Sequence, residues 1–311
     1  MISAKKSRFK RISVIIITSI FIFITLSLTA TKLIYDGIFA RYDTPAPIDA
    51  ALSQMVQKRQ LCQFPSGENQ LAGYYYEAAE PNRTNGLVVL VPGFHAGADD
   101  YLWQIRELTD YGWGVFTFDI TGTLRSQGKN QVGFSQSLLD LEAALKYVEK
   151  NQRFGYTELV LMGHSQGAYA ACCALAGQHD ISAVVSVSGV NSAMESIMHM
   201  STQTVGPVAY GNYGFLWLYQ AMLFGTDVLE LEASKAISES TVPVLVIHGQ
   251  QDTQIPVDRC SIYSHKDKIT SSHVAYLLCH AGHTDILYDT DGTANDDLMR
   301  SIHDFLTDNV H

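Results

Sequence analysis

Short apolar runs that alternate with longer amphipathic stretches restrict the fold of this chain more than any other feature. Apolar runs of this length are typical of strands buried on both faces of a sheet. Six are predicted as strands: 87–91, 114–118, 159–162, 183–187, 242–247 and 274–279. The stretches predicted as helices are 101–108, 135–150, 167–177, 256–266 and 296–307. This alternation predicts an α/β fold, with a mostly parallel central sheet and helices on both faces.

Two parts of the chain depart from the alternation. The earlier runs 59–64 and 71–78 alternate in polarity, which favours an antiparallel edge of the sheet. Between the fourth and fifth predicted strands the chain inserts residues 191–240, which are rich in Met, Tyr, Phe and Trp. An insertion of this length predicts a helical lid. A helix pair that only caps the core is the alternative, and the two are compatible.

A serine lies where the strand at 159–162 meets the next helix. The sequence Gly163-His164-Ser165-Gln166-Gly167 matches the pattern G-x-S-x-G. On a tight strand-to-helix turn the serine is held in a strained conformation, and small neighbours let the turn close. Its hydroxyl then lies at a helix N-terminus, whose dipole favours developing negative charge. Ser165 is therefore the predicted nucleophile.

A serine hydroxyl needs a base, and the base needs an orienting group. Asp252 ends the motif HGQQD after the fifth strand, and His283 ends the motif HAGH after the sixth. Both loops follow strands of the predicted sheet, and the chain order Ser, Asp, His is the one that such a fold requires. Asp252 is therefore the predicted acid and His283 the predicted base. His280 is a rival base and Asp285 a rival acid.

Acyl transfer also needs hydrogen-bond donors for an oxyanion. The backbone N–H of Gln166, directly after the nucleophile, is the first predicted donor. The second is expected from the loop PGFHAG after the first strand, at Phe94, because Gly93 and Gly97 permit that loop to bend over the site. His164 and His248 are interpreted as packing or hydrogen-bonding residues.

The motifs PGFHAG, FDITGTLRSQG, GHSQG, HGQQD and AGH resemble those of the α/β-hydrolase superfamily, especially its monoglyceride-lipase-like and serine-aminopeptidase-like branch. The resemblance covers roughly residues 55–311. It implies the α/β-hydrolase fold, with Ser165, Asp252 and His283 as the catalytic triad. It also implies oxyanion donors at Phe94 and Gln166, and a structural turn that contains Asp119, Gly122, Ser126 and Gly128. Pro92 stands where His-Gly is common in that branch.

The N-terminus predicts a membrane anchor. Residues 1–11 carry five Lys or Arg and no acid, and the run from Ile12 to Thr31 has no charge. As a helix this run spans roughly 30 Å, about one bilayer core. We therefore expect a basic cytoplasmic N-terminus at 1–11, a transmembrane signal-anchor at 12–34, a linker at 35–55 and the hydrolase domain at 56–311.

The basic residues lie before the span, which favours a cytoplasmic N-terminus. The chain is thus expected in the cell membrane as a single-pass protein, with its catalytic domain outside. A cleaved signal peptide is the alternative, although a cut after Ala30 would place Leu28 where a small residue is preferred.

Composition argues against other partners. The net charge is −10 although the first residues are basic, so nucleic acid is not expected as a partner. The Cys and His spacings do not predict a metal site, and no cofactor is expected. The five cysteines are too scattered for a disulfide framework, although a single bond between Cys260 and Cys279 stays open.

Three functions are weighed. The first is an esterase or lipase-like enzyme for a small-molecule ester with an acyl or aromatic group, because the Met-rich insertion suits such substrates. The second is a serine-aminopeptidase-like amide hydrolase, in which Glu195 or the pair Glu230 and Glu232 would hold a free amine. The third is a non-catalytic binding module. A missing triad residue would be its signature, and none is missing.

Overall fold

A computed structural model describes residues 2–80 and 84–310. The strands are β1 (Gln60–Ser66), β2 (Asn69–Tyr76), β3 (Gly86–Val91), β4 (Trp113–Phe118), β5 (Leu159–His164), β6 (Ala183–Val187), β7 (Val244–Gly249) and β8 (Val274–Cys279). They form one eight-stranded sheet in the order β1-β2-β4-β3-β5-β6-β7-β8. β2 is antiparallel to β1 and β4, and the other neighbours are parallel. The predicted mostly parallel sheet with an antiparallel edge is confirmed.

The burial of the strands explains why their positions could be predicted from apolar runs in the sequence. Every residue of β3, β4, β5, β6 and β7 is buried, which accounts for their nearly continuous apolar runs. β8 lies at the edge and is only partly buried. β7 begins two residues later than predicted, at Val244, and extends through His248 and Gly249.

Helices cover both faces of the sheet, as predicted. Their bounds are α1 (Ile2–Ile38), α2 (Ser53–Lys58), α3 (Leu102–Asp110), α4 (Phe134–Lys150), α5 (Gln166–Cys173), α6 (Ala193–Val205), α7 (Tyr213–Phe224), α8 (Thr226–Leu229), α9 (Ala233–Ser238) and α10 (Asp296–Asn309). Apolar side chains of α4 and α5 fill the core on one face, and those of α3 and α10 fill it on the other.

The helix predicted at 256–266 is wrong. This segment consists of turns followed by a 3₁₀ helix at Tyr263–Lys268. Cys260 has a φ of 50°, a left-handed conformation that interrupts a helix. Cys260 is also a free thiol, as is Cys279, so the open possibility of a bond between them is not realised.

The lid is helical. Between β6 and β7 lie α6, α7, α8 and α9, with a 3₁₀ helix at Gly206–Asn212 that joins α6 to α7. Within the insertion, an isolated bridge pairs Ser192, before α6, with Glu232, before α9.

The N-terminal helix extends further than the predicted span. α1 continues to Ile38, so the first residues of the expected linker are helical. Tyr35 and Phe39, one turn apart, are 2% and 0% exposed because they pack on the body. Of the helices in the described residues, this one alone is long and apolar enough to cross a membrane.

Candidate active site

Ser165 lies on the turn between β5 and α5. Its φ of 56° and ψ of −117° are rarely adopted by residues with a side chain. The turn closes because its glycines have no Cβ atom. A Cβ on Gly163 would lie 2.2 Å from the Gly167 carbonyl oxygen, and one on Gly167 would lie 2.1 Å from that of Val91. The Ser165 hydroxyl is thereby held at the carboxyl edge of the sheet.

Ser165, His283 and Asp252 form a continuous hydrogen-bonded line. Ser165 Oγ lies 2.9 Å from His283 Nε2, and His283 Nδ1 lies 2.6 Å from Asp252 Oδ2. An ionised carboxylate only accepts hydrogen bonds, so Nδ1 is the nitrogen that donates to Asp252. In the neutral ring Nε2 is then free to accept from the Ser165 hydroxyl. All three side chains are buried.

The orientation of Asp252 is set by the backbone and by a second histidine. Its Oδ1 accepts from the N–H groups of Gln254 and Ile255 at 2.9 and 2.8 Å. His248 Nε2 lies 3.4 Å from Oδ2. Burial raises the pKa of the Asp252 carboxyl, but the hydrogen bonds with His248, His283 and the Ile255 N–H outweigh burial and hold the pKa well below its usual value. Asp252 is therefore ionised at neutral pH.

His164 connects the loop of His283 with the loop after β3. His164 Nε2 lies 3.0 Å from the His283 carbonyl oxygen, which can only accept, so Nε2 carries the proton. Nδ1 then accepts from the Tyr101 hydroxyl at 3.1 Å, and the Tyr101 oxygen accepts from the Gly93 N–H at 2.9 Å. Burial lowers the pKa of His164 to about 3, so the ring is neutral. This is the hydrogen-bonding role expected of His164.

The predicted oxyanion donors lie next to Ser165 in space or in sequence. Phe94 shares the cavity wall with Ser165, and Gln166 begins α5. Within the described residues, the backbone N–H groups of Phe94 and Gln166 donate to no protein acceptor. The neighbours of Phe94 are engaged, since the Gly93 N–H donates to Tyr101 and the His95 N–H to Gln131.

The left-handed residue of the loop after β3 is not a glycine. His95 has a φ of 55°, whereas Gly97 serves close packing. A Cβ on Gly97 would lie 2.1 Å from the Leu124 side chain and 2.8 Å from Asp119. The expected role of Gly97 in bending the loop is thus replaced by a role in its approach to the turn after β4.

That turn is held by buried polar groups. Asp119 accepts from the Tyr74 hydroxyl and from the Ala98 N–H, at 2.7 and 3.0 Å. The Ser126 hydroxyl accepts from the Ala72 N–H. Gly122 has a φ of 72°, and a Cβ there would lie 2.1 Å from the Asn130 carbonyl oxygen. These contacts join the turn to β2 and to the loop after β3, and Arg41, after α1, also donates to the carbonyl oxygens of Ser126 and Gly128.

A cavity of 460 Å³ lies over Ser165. Its walls come from the loop after β3, from α6 of the lid and from the loops of Asp252 and His283, and they include Phe94, Met200 and Ile255. Among the described residues that line it there is one acidic side chain, Asp100, and no Lys or Arg.

Asp100 was not predicted from the sequence, although it lies in the same βα loop as Phe94. Burial raises the pKa of its carboxyl, and a hydrogen bond from the Gly97 N–H acts in the opposite direction. The neighbouring carboxylates of Asp99 and Asp119 raise the pKa further. Asp99 forms an ion pair with Arg59.

The alternative base and acid, His280 and Asp285, are not hydrogen-bonded to Ser165. His280 Nε2 lies 3.0 Å from the side-chain nitrogen of Gln251, and Asp285 begins a 3₁₀ turn at Asp285–Leu287. Neither hydrogen-bonds to Ser165 or to His283 in the described part of the chain.

The acidic residues expected in an amine site line a different space. Glu195, Glu230 and Glu232 border a neighbouring cavity of 820 Å³, which meets the Ser165 cavity at His199 and Gln203. Glu195 is also paired with His265, at 3.3 Å.

The residues directly after α1 brace the loop of Phe94. The Phe39 ring lies 5.2 Å from that of Phe94 and 5.6 Å from that of Phe134, measured between centroids. The Tyr42 ring stacks on that of His95 at 5.2 Å. This segment belongs to the linker predicted at 35–55. The spacing of its aromatic residues along the end of α1 was the signal that could have indicated packing.

Comparisons with known proteins agree with this architecture. Residues 82–212 match the family described as serine aminopeptidase, S33. A proline iminopeptidase of Saccharolobus solfataricus is 30% identical over 130 residues, which are 40% of this chain and 40% of that protein's length. The similarity therefore spans well under half of that relative.

Solved structures match more of the chain at lower identity. An esterase of Pyrococcus furiosus superposes with a TM-score of 0.65 and 17% identity, over 88% of this chain and 100% of that one. Est1E of Butyrivibrio proteoclasticus, solved with ferulic acid bound, superposes with a TM-score of 0.60 and 16% identity, over 80% of this chain and 99% of Est1E. An acylaminoacyl peptidase of Pyrococcus horikoshii superposes with a TM-score of 0.58 and 15% identity, over 81% of this chain and 42% of that one. At these identities the likeness is one of fold.

Proposed function

We propose that this chain, which has the α/β-hydrolase fold, is a serine hydrolase of carboxylic esters with Ser165, His283 and Asp252 as its triad. One observation carries the proposal. Ser165 Oγ, the His283 ring and Asp252 Oδ2 lie in hydrogen-bonded sequence, at 2.9 and 2.6 Å. The strained conformation of Ser165 supports the same role.

The chemistry follows from the direction of these hydrogen bonds. As Ser165 Oγ attacks the carbonyl carbon of the ester, its proton passes to His283 Nε2, and Asp252 stabilises the resulting imidazolium. The carbonyl oxygen becomes an oxyanion, which accepts from the N–H groups of Phe94 and Gln166. His283 then protonates the leaving alkoxide and leaves an acyl-enzyme. Water, deprotonated by His283, releases the acid and restores Ser165.

The cavity favours an uncharged acyl group. Its described lining holds no Lys or Arg that would pair with an anionic substrate, and Phe94, Phe134 and Met200 supply apolar surface. An ester with an acyl or aromatic group therefore fits the wall around Ser165.

Amide hydrolysis is the second candidate, and two observations favour it. The matched family is described as serine aminopeptidase, and the acidic residue Asp100 is among those that line the Ser165 cavity. A free amine of an aminoacyl substrate would pair with that carboxylate. Glu195, Glu230 and Glu232 are less suited, because they line the neighbouring cavity.

A substrate panel separates the two candidates. Esters of graded acyl length and aminoacyl amides are compared on the full chain, with Ser165→Ala and Asp100→Asn beside it. An esterase turns over the esters, loses that turnover in Ser165→Ala and keeps it in Asp100→Asn. An aminopeptidase prefers the amides and loses that preference in Asp100→Asn. Ester turnover that survives in Ser165→Ala contradicts the triad.

Labelling with a fluorophosphonate tests the third, non-catalytic possibility. The activated hydroxyl of Ser165 is expected to react, and Ser165→Ala is expected to stay unlabelled. Folded protein whose Ser165 does not react would favour a binding module over both enzymes.

We further propose that α1 is an uncleaved anchor in the cell membrane, with the catalytic domain on the outer side. Its length and apolar surface support a span. Its contact with the lid at Phe23 and Phe215, whose ring centroids lie 6.0 Å apart, would be lost on cleavage after Ala30. Carbonate extraction and the mass of the N-terminal peptide test the anchor, and protease access in intact cells tests the side. Complete protection of the body would contradict an outer location.

A further inference from the structure

The lid contains a long segment without charge. From Ser196 to Thr226 there is no Asp, Glu, Lys or Arg, although the chain as a whole is acidic and 17% charged. This segment includes the end of α6, the 3₁₀ helix Gly206–Asn212 and all of α7. Surface helices of water-exposed domains normally carry a polar face, and α7 lacks a charged one.

Much of this segment is exposed. Val208 is 73% exposed and Met222 is 63% exposed. We define the uncharged lid face by its large exposed side chains, Val208, Tyr210, Tyr213, Leu218, Met222 and Leu223. Large exposed apolar side chains are thus concentrated in a segment without charged residues, and exposed apolar surface of that kind marks an interaction site.

The same lid segment packs on α1. The Thr31 hydroxyl hydrogen-bonds with Asn212, and the Tyr35 ring lies 5.3 Å from that of Tyr219. Further toward the N-terminus, the Phe23 ring contacts that of Phe215. With a rise of 1.5 Å per residue, Phe23 lies about 12 Å along the helix from Thr31.

These contacts set the depth of the lid. If α1 crosses a bilayer through its uncharged run 12–31, Phe23 lies within the hydrocarbon core, and Phe215 lies beside it. The residues of α7 around Phe215 then meet lipid rather than water. The exposed Tyr210 and Tyr213 are of the type that collects at the level of the headgroups.

We propose that the uncharged lid face is embedded in the same bilayer leaflet as the end of α1, so that the lid and the anchor form one membrane-bound unit. The partner is the lipid surface. A second copy of the chain is the competing occupant. Continuity with α1 and the lack of charged residues favour lipid. If two copies paired through this face, α1 would still cross the membrane beside it. The inference rests on the anchor proposed above.

The position of the face also indicates where the substrate comes from. Met200, Gln203 and Thr204 of α6 line the Ser165 cavity, and the next residue, Val205, is exposed within the uncharged segment. An ester dissolved in the bilayer would reach Ser165 along α6, from the exposed lid segment to the cavity. The substrate class is therefore a membrane-resident ester with a long acyl chain. This step rests on the proposed esterase function.

Depth-dependent quenching tests the docking surface. The full chain is reconstituted in phosphatidylcholine vesicles with a bimane label at Val208→Cys or Met222→Cys. Ser272→Cys is the matched control, because Ser272 is exposed and precedes β8, at the sheet edge opposite Ser165. The unsubstituted chain gives the background from its own cysteines. We expect nitroxide lipids to quench the labels at 208 and 222 more strongly than iodide does, with the reverse order at 272.

Each other result overturns the docking surface. Quenching of the 208 and 222 labels by iodide, as at 272, places the face in water. Protection from both quenchers means that a second copy covers it. A label at Ile17→Cys reports on α1 separately. Lipid quenching at 17 combined with iodide quenching at 208 and 222 leaves the anchor standing and removes only the lid contact.

Activity tests the route of the substrate. Val208→Glu and Met222→Glu introduce charges that lipid disfavours. We expect the double variant to lose about tenfold or more of its turnover of a long-chain ester held in vesicles, and to keep its turnover of a soluble short-chain ester. Ser272→Glu should change neither. Unchanged turnover of the vesicle ester by the double variant overturns the route. Absence of turnover in the unsubstituted chain, with lipid quenching intact, overturns the esterase and leaves the docking surface.

Discussion

His164 donates a hydrogen bond to the backbone carbonyl of His283 at 3.0 Å, which ties the residue before the proposed nucleophile to the proposed base. The other nitrogen of the His164 ring accepts from Tyr101, whose oxygen accepts from the Gly93 N–H. One neutral imidazole therefore connects the loop of the base with the loop of the proposed oxyanion donor. Protonation of His164 would replace the acceptor at Nδ1 by a donor and break the contact with Tyr101.

Stability should fall in acid because of His164. Its pKa is about 3 in the folded protein and about 6.5 in an unfolded chain. Between these values the unfolded state binds more protons, so the free energy of unfolding decreases as pH falls, by up to about 1.4 kcal/mol per pH unit. Urea unfolding from neutral pH to about pH 4 measures the slope. His164→Gln, whose amide can still donate to His283, should reduce this slope by the contribution of about one proton bound on unfolding. Equal slopes would contradict this assignment.

The backbone strain at Ser165 should be measurable as stability. A side chain at a φ of 56° costs about 1–3 kcal/mol, whereas glycine adopts such angles freely and loses about 0.5–1 kcal/mol through chain entropy. We expect Ser165→Gly to be more stable than Ser165→Ala by about 1 kcal/mol in urea unfolding. Both should lose ester turnover by roughly 10⁴-fold or more. A glycine variant that is no more stable than the alanine variant would show that no strain is stored there.

The approach of Gly167 to β3 should tolerate no side chain. Gly167→Ala places a Cβ against the Val91 and Pro92 carbonyl oxygens, and we expect the free energy of unfolding to fall by roughly 1–3 kcal/mol. Ester turnover should also be lost, because the Ser165 turn must shift. Gly211→Ala is the matched control, since a Cβ there has no atom within 4 Å. It should change stability by less than about 0.5 kcal/mol. Thermal unfolding and an ester assay compare the two, and similar behaviour of both variants would refute the close contact.

Phe39 should affect both stability and rate. It is fully buried against Phe94 and Phe134, so Phe39→Ala is expected to cost about 3–5 kcal/mol. Because Phe94 carries a proposed oxyanion donor, kcat for a soluble ester should fall in the protein that remains folded. Phe39→Leu keeps most of the apolar volume and should recover most of both. An unchanged kcat in Phe39→Ala, in spite of its lower stability, would limit Phe39 to a packing role.

Local signals in the sequence suffice for some elements of the fold and not for others. The strands could be predicted because burial on both faces leaves a local mark, a continuous apolar run, as in β3 and β5. The helix at 256–266 was wrong because most residues of this segment have low helix propensity, and Cys260 adopts a left-handed φ that fits contacts with the body. The bridge between Val190 and Ser261 is one such contact.

By itself the sequence determined the sheet, the place of Ser165 on a strand-to-helix turn, and two loops at the same edge that carry Asp252 and His283. Tertiary structure alone decided the distances among these three side chains, the role of His164 between two loops, and the presence of Asp100 in the cavity. It also decided that α1 packs on the lid and that Phe39 supports Phe94. The physical reason is range: periodicity and turn chemistry act over a few neighbouring residues, whereas these contacts join residues far apart in the chain and exist only once the core has packed.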